Sequence, residues 1–175
     1  MDIKWNQWLI FIVNSFEYIF IALLPEGFQP APRETEADKT GDVKTLDRKL
    51  QTRVYLTVQE DSSWTFPIVT VKDDNTETLL AAAKRALKKA VGSNLEIVYL
   101  SNCPMAVDTI VYPKDKRDTY YGEKVFYIKA QRDDGDVDPE QLQSLDYAWL
   151  AREEIVDRVR QQNGDDASKF YHYIL

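Results

Sequence analysis

The stretch from Trp64 to Gly92 reads WTFPIVTVKDDNTETLLAAAKRALKKAVG, and its pattern decides the fold. Its first eight residues are rich in aromatic and β-branched side chains and are typical of a strand, with Pro67 marking an edge or a bulge. The second half predicts a helix with Asn75 or Thr76 as the N-cap and the closing glycine as the stop signal. One helical stripe is formed by Leu79, Leu80, Ala83, Leu87 and either Ala90 or Val91.

Strand-like segments lie on both sides of this stretch, and further helices follow near the end of the chain. The preceding segment, RVYLTVQE, alternates apolar and polar residues in the manner of a half-buried strand. The later segments are strands at 95–100, 106–112 and 124–130, a short strand ending at Trp149, a helix at Arg152–Gln162, and a last helical turn near Phe170. Strands mixed with two long helices predict an α/β or α+β sandwich.

The Trp64–Gly92 stretch resembles the Nudix family. The sequence motif of that family, the Nudix box, begins with Gly, five residues of any type, Glu and seven further residues of any type. It ends with Arg-Glu-U-x-Glu-Glu-x-Gly-U, where U is an aliphatic residue. A strand with the sequence Trp-x-x-Pro-Gly-Gly precedes the box. Here Trp64 to Pro67 fits the strand, Glu77 precedes Arg85 by eight positions, Leu87 fills the aliphatic position, and Gly92 fills the closing glycine. The resemblance covers residues 49 to 160 and implies a Nudix-like α/β/α sandwich with a mixed sheet.

The same box departs from the family at the positions that carry its chemistry. Ala86, Lys89 and Ala90 stand where the family has three glutamates, which bind a divalent metal that clamps pyrophosphate and activates water. Alanine supplies no oxygen ligand, and lysine places a positive charge where a cation would bind. The resemblance therefore implies no catalytic residues, no metal and no cofactor, with Glu77 and Arg85 kept as a scaffold pair.

Two other functions stay open for such a box. A Nudix-like protein can bind a nucleotide without hydrolysing it, or a hydrolase can recruit relocated metal ligands, for which Glu123, Glu153 and Glu154 are the candidates. The helix also presents a basic group that could contact RNA or an acidic partner, or could simply be solvated. This basic group consists of Lys84, Arg85, Lys88 and Lys89.

Residues 3–24 are strongly apolar and predict a helix that ends before Pro25. We expect this helix to dock on a partner protein, through Trp5, Trp8, Ile12, Phe16, Ile19 and Phe20. A membrane segment is a less favoured alternative, because Glu17 would lie near its middle. A cleaved secretion signal is the other, and it is disfavoured because Lys4 is the only basic residue at its start. The domain prediction is therefore a docking helix over 1–24, an extended linker over 25–48 that is rich in Pro and charge, and a Nudix-like domain over 49–175.

The overall composition limits the classes of function. The chain of 175 residues carries a net charge of −7, with one cysteine and one histidine. A disulfide within the chain is thereby excluded, as is a cluster of Cys and His ligands. An acidic chain cannot rely on neutralising phosphates for its main attachment, so in a nucleoprotein particle it would sit mainly on other proteins.

Several shorter pieces narrow the resemblance further. They are LPEGFQPAPRETEAD, KTLDRKL, VYLTVQ, WTFP, ETLLAAAKRAL, SNCP and EKVFYIKA. Together they are similar to a family of Nudix-like proteins of the mitochondrial large ribosomal subunit. That resemblance implies a matrix protein near the central protuberance that contacts neighbouring ribosomal proteins. Whether it also makes limited contact with ribosomal RNA stays open. The first 24 residues show no recognisable import signal, so localisation rests on the resemblance alone.

Overall fold

The computed structural model describes residues 32–72, 76–117 and 119–175, and it describes residues 5–14 through their backbone pairing as a strand. The elements are β1 (Trp5–Asn14), α1 (Glu36–Thr40), β2 (Val54–Glu60), β3 (Ser63–Thr65), β4 (Ile68–Thr70), α2 (Leu79–Val91), β5 (Glu96–Tyr99), β6 (Ala106–Val111), β7 (Gly122–Asp134), β8 (Asp146–Ala151), α3 (Arg152–Asn163) and α4 (Asp165–Ile174). None of the helices in these residues has the length and apolar character needed to cross a membrane.

The described strands form one mixed sheet of eight strands. β1 and β7 run parallel at its centre, from the pair of Trp5 and Gly122 to the pair of Asn14 and Gln131. The other pairings are antiparallel, and the main path runs β3–β2–β1–β7–β5. β8 adds to β2, β4 adds to β1, and β6 adds to β7. The predicted mixed sheet is confirmed.

Each face of the sheet is covered by helices. In β2, Leu56 and Val58 belong to the same core as the alanines of α2, whereas Tyr55 packs with Ile155 of α3. Successive residues of a strand point to opposite faces, so the alternation in this strand builds both cores at once. Helix α2 packs over β1 and β4, and the two C-terminal helices cover the other face. The predicted α/β/α sandwich is therefore confirmed.

The C-terminal helix α4 is longer than the single turn that the sequence predicts. It spans ten residues and closes the second core with a cluster of aromatic rings. The ring centroids of Tyr127 and Phe170 lie 5.2 Å apart, and those of Phe66 and Tyr171 lie 5.8 Å apart. Aromatic pairs at such distances add to the stabilisation from burial.

The predicted N-terminal helix is wrong over the residues that the structure describes. Trp5, Trp8 and Ile12 lie on β1, a strand with β7 along its whole length on one side and β4 on the other. A short continuous apolar run cannot be assigned to helix or buried strand by periodicity alone, and this run is rich in strand-forming residues. The other three residues predicted to dock lie outside the described residues: Phe16, Ile19 and Phe20.

The predicted linker is also wrong over its described part, because residues 32–48 pack on the domain. Thr35 caps α1 through a capping box with Asp38. The Val43 carbonyl accepts a hydrogen bond from Trp149 N–H at 2.8 Å, and Arg48 is buried. The composition suggested a linker because polar anchors of this kind leave no periodic pattern in a sequence.

Candidate functional site

Helix α2 carries most of the residues that the Nudix resemblance singles out. It begins after Thr78, whose hydroxyl accepts a hydrogen bond from Ala81 N–H at 3.1 Å. The prediction of Thr76 as the N-cap is therefore wrong, and Asn75 lies outside the described residues. The competition among several neighbouring threonine and asparagine residues explains why the sequence could not place the cap to the residue.

The closing glycine of the box ends α2, as predicted. Gly92 has a φ of 83°, and its N–H donates to the Lys88 carbonyl at 3.1 Å. A Cβ at this position would also lie 2.6 Å from the Cβ of Gln141. Backbone conformation and close packing thus both favour glycine here.

The glutamate and arginine of the box form a two-pronged ion pair. Arg85 donates from Nε to Glu77 Oε1 at 2.8 Å and from Nη2 to Oε2 at 2.6 Å. The same Nη2 donates to the Thr70 carbonyl at 3.0 Å, and Lys72 N–H donates to Glu77 at 3.2 Å. These hydrogen bonds, above all those from Arg85, lower the pKa of Glu77. The pair fixes the chain between β4 and α2, which is a scaffold role.

Two of the three positions that the sequence resemblance aligns with metal-binding glutamates are buried alanines. Ala86 and Ala90 are only 1% and 5% exposed and belong to the core between α2 and the sheet. Lys89 is exposed beside them. The three residues line one side of a cleft whose other walls are Gln59, Glu60, Asp61, Ile68, Gln143, Ser144 and Leu145.

The loop before β8 is anchored in this cleft by the end of α2. The Ala90 carbonyl accepts hydrogen bonds from Gln143 N–H at 3.1 Å, from Ser144 N–H at 3.4 Å and from Ser144 Oγ at 2.8 Å. Leu145 N–H donates to the Gln59 carbonyl at 3.0 Å. A carbonyl left open in the last turn of a helix needs such donors. The loop therefore stands as a fixed wall of the cleft.

The glutamates considered as relocated metal ligands do not converge. Glu123 lies on β7 and accepts a hydrogen bond from the Tyr112 hydroxyl at 3.0 Å. Glu153 and Glu154 lie in the first turn of α3, where Glu154 is engaged by Arg48. Within residues 32–72, 76–117 and 119–175, no group of three or more His, Cys, Asp or Glu side chains is arranged to hold a metal.

In the basic group of α2, one residue forms an ion pair and the other three are exposed. Arg85 is held by Glu77, whereas Lys84, Lys88 and Lys89 are exposed along a groove. Lys84 Nζ lies 5.2 Å from the centroid of the Tyr99 ring. The groove is completed by Gly92, Ser93, Glu140, Gln141, Leu142 and Gln143. The four basic residues that were predicted as a group therefore line one groove, in which Arg85 is paired with Glu77.

A second two-pronged ion pair, which the sequence analysis missed, anchors the start of α3. Arg48 donates from Nη1 and Nη2 to the two carboxylate oxygens of Glu154, at 2.9 and 2.7 Å, and from Nη1 to the Trp149 carbonyl. Glu154 also accepts from Ala151 N–H at 2.7 Å and pairs with Lys49 at 3.1 Å. Burial alone would raise the pKa of Glu154, but these hydrogen bonds outweigh it and lower the pKa to about 2.

Comparison with curated proteins identifies relatives of the chain. It is 36% identical over 139 residues to the large ribosomal subunit protein mL46 of Neurospora crassa and 34% identical over 135 residues to that of Mus musculus. The chain is a homologue of mL46. These alignments cover 73% and 74% of the chain, but only 37% and 47% of the mL46 proteins, so the chain spans less than half the length of these relatives. No family model matches the chain.

Solved structures similar to this homologue of mL46 are Nudix hydrolases. A NUDIX hydrolase from Nitrosomonas europaea superimposes with a TM-score of 0.53 at 13% identity, over 97% of this chain and 90% of that one. A C. elegans Ap4A hydrolase gives a TM-score of 0.52 at 15% identity, over 97% of both chains. At these identities the likeness concerns the fold alone, and it confirms the predicted Nudix fold.

Proposed function

We propose that this chain is a constituent of the mitochondrial large ribosomal subunit, in which its Nudix fold serves as a binding module without hydrolase activity. The homology to mL46 carries this proposal, because the relatives bear the name of a large-subunit ribosomal protein. Residence in the mitochondrial matrix and neighbouring ribosomal proteins as partners are parts of the same proposal. A position near the central protuberance follows from the sequence resemblance and is proposed with them.

The absence of hydrolysis is supported by the chemistry of the cleft. Metal-assisted cleavage of a pyrophosphate needs carboxylates that bind the cation and activate water. At the positions where the family has these groups, Ala86 and Ala90 contribute methyl groups and Lys89 contributes a positive charge. Glu60 and Asp61 are the acidic residues among those that line the cleft. This set favours a scaffold and disfavours a divalent cation.

Attachment through protein contacts is supported by the free edge of the sheet. β6 pairs with β7 on one side, and no strand among the described residues pairs with its other side. The apolar side chains of β5, β6 and the turn between them are 41–53% exposed: Val98, Leu100, Met105, Val107, Ile110 and Val111. β6 contains no lysine or proline and has Asp108 as its charged residue, and an apolar edge with so few blocking residues is a template for pairing with another chain. An extended segment of a neighbouring ribosomal protein would add a strand to β6.

Sedimentation of the tagged full chain with mitochondrial ribosomal subunits tests the proposal. We expect the protein to migrate with the large subunit in a density gradient. A double variant, Val107→Lys with Val111→Lys, should shift protein from the large-subunit peak to the top of the gradient, because charges on the edge oppose strand pairing. Tyr173→Lys is the matched control at an exposed aromatic residue of α4 and should stay with the subunit.

Two results would contradict the proposal. Wild-type protein found only at the top of the gradient, or with the small subunit, would remove the ribosomal assignment. Full incorporation of the folded double variant would instead remove the β6 edge as the attachment surface. Circular dichroism of each purified variant distinguishes loss of contact from loss of fold.

A further inference from the structure

We propose that Lys84, Lys88 and Lys89 form a seat for the phosphate backbone of double-helical RNA. This inference rests on the proposed function, because it names a second class of partner for the same ribosomal module. The seat lies on α2, whereas the edge that we propose for protein contacts is formed by β5, β6 and the turn between them. Contacts through these two parts of the fold would then hold the module between protein and RNA.

The spacing of the three lysines suits a row of phosphates. Lys84 and Lys88 are one helical turn apart on α2, which corresponds to a rise of about 6 Å along the helix axis. Lys89 follows directly and lines the same groove. Lysine acts as a flexible point charge with three donors, so each ammonium group can reach a phosphate oxygen without a fixed geometry.

The charges of the lining residues make this groove basic on an acidic chain. None of the ion pairs formed within the described residues involves Lys84, Lys88 or Lys89. Arg85 is neutralised by Glu77, and Glu140 is the acidic residue among those lining the groove. With three lysines and one glutamate, the groove is net positive, whereas the whole chain carries −7. Such a local reversal of sign attracts polyanions to one place on the surface.

The rest of the groove favours an RNA backbone over RNA bases or an acidic protein. Apart from the charged residues, its lining is formed by Gly92, Ser93, Gln141, Leu142 and Gln143, with no aromatic ring among them. The Tyr99 ring near Lys84 is partly buried and has the Lys84 ammonium group over its face. Recognition of unpaired bases uses open aromatic platforms, and tight protein interfaces use aromatic or arginine anchors in pockets. Contacts to a duplex are made mainly to phosphates and depend on shape.

Binding of a labelled 16-base-pair RNA duplex to the purified full chain, measured by fluorescence anisotropy at two salt concentrations, tests the inference. Three neutralised phosphates predict that the Kd rises about 40-fold between 50 and 200 mM salt, taking a slope of roughly 0.9 per contact. The triple variant K84Q/K88Q/K89Q should lose most of this affinity and its salt dependence. The charge-matched control R33Q/K39Q/K114Q changes exposed residues elsewhere and should bind like the wild type.

Three results would overturn the inference. The first is that the wild type does not bind the duplex at 50 mM salt. The second is that the triple variant and its control lose the same amount of affinity for the duplex. The third is that a ten-residue glutamate peptide binds at the lysines in place of RNA. The last result would assign the groove to an acidic protein. The sedimentation experiment is scored separately, so failure of the ribosomal assignment and failure of the RNA seat are distinguishable.

Discussion

Two arginine–glutamate ion pairs stabilise this Nudix fold, and they differ in the exposure of their side chains and in the number of residues between the partners. Arg48 and Glu154 have side chains that are 6% and 28% exposed, and they join residues 106 positions apart. Arg85 and Glu77 are 35% and 9% exposed and lie eight positions apart. The first pair connects the segment before β2 to the start of α3, whereas the second fixes the chain just before α2.

The comparison shows that the Glu77–Arg85 pair of the Nudix pattern has a structural role. The box pair is a local brace whose arginine is partly solvated, and its removal affects one loop and one helix. The buried pair lies outside the box and closes a long segment onto the core. We therefore expect the stability of the scaffold to depend more on Arg48 than on any charged residue of the box.

Removal of Arg48 should have the largest effect. Arg48→Met leaves the half-buried carboxylate of Glu154 with Lys49 and the Ala151 N–H as its partners, and breaking a buried pair in this way costs up to about 3–5 kcal/mol. Urea denaturation followed by circular dichroism measures the free energy of unfolding. Arg33→Met, at an exposed arginine, is the control and should change it by less than about 0.5 kcal/mol. A loss below about 1 kcal/mol for Arg48→Met would contradict the ranking of the two pairs.

The same pair predicts how stability depends on pH. The pKa of Glu154 is lowered from its ordinary value of 4.5 to about 2, so the folded state binds this proton less readily than the unfolded state does. The stabilisation is present above pH 4.5 and is lost as the pH falls towards 2. We expect the difference in Tm between the wild type and Glu154→Gln to shrink over that range. Glu153→Gln, at an exposed neighbour, should show no such convergence, and a pH-independent difference for Glu154→Gln would count against the pair.

Removal of the box arginine should have a smaller effect. Arg85→Met deprives Glu77 of two charged hydrogen bonds, but Arg85 is partly solvated, so the expected loss is about 1–2 kcal/mol. Lys84→Met on the same helix removes a charge without breaking an ion pair and serves as the control. A loss for Arg85→Met equal to that for Arg48→Met would erase the distinction between the pairs.

Much of the fold was predictable because its signals are local. The alternation in β2 and the apolar stripe of α2 are each set by neighbouring residues, and the match of Glu77 and Arg85 to the box spacing indicated their pairing. For the same reason, the sequence predicted the basic group on α2. It indicated that Arg85 pairs with Glu77, but it could not show that Arg85 also donates to the Thr70 carbonyl or that the three lysines remain exposed, since that depends on the position of β4.

The features that the sequence did not predict depend on distant partners. β1 is a strand because β7, more than a hundred positions later, runs parallel to it, and its continuous apolar run fits a helix equally well. The link from Arg48 to Glu154 likewise leaves no signal in the residues around either partner. The β-branched and aromatic content of Trp5–Asn14 was the one local sign that favoured a strand.

The most direct test of the central claim is a hydrolysis assay on the purified wild-type chain. ADP-ribose and diadenosine tetraphosphate would be incubated with Mg²⁺ or Mn²⁺, and the nucleotide products measured by chromatography, with a Nudix hydrolase as positive control. We predict no turnover above a buffer blank, because Ala86, Lys89 and Ala90 provide no carboxylate for the cation. Product formation that is abolished by a chelator would contradict the claim that this Nudix fold binds without catalysing hydrolysis.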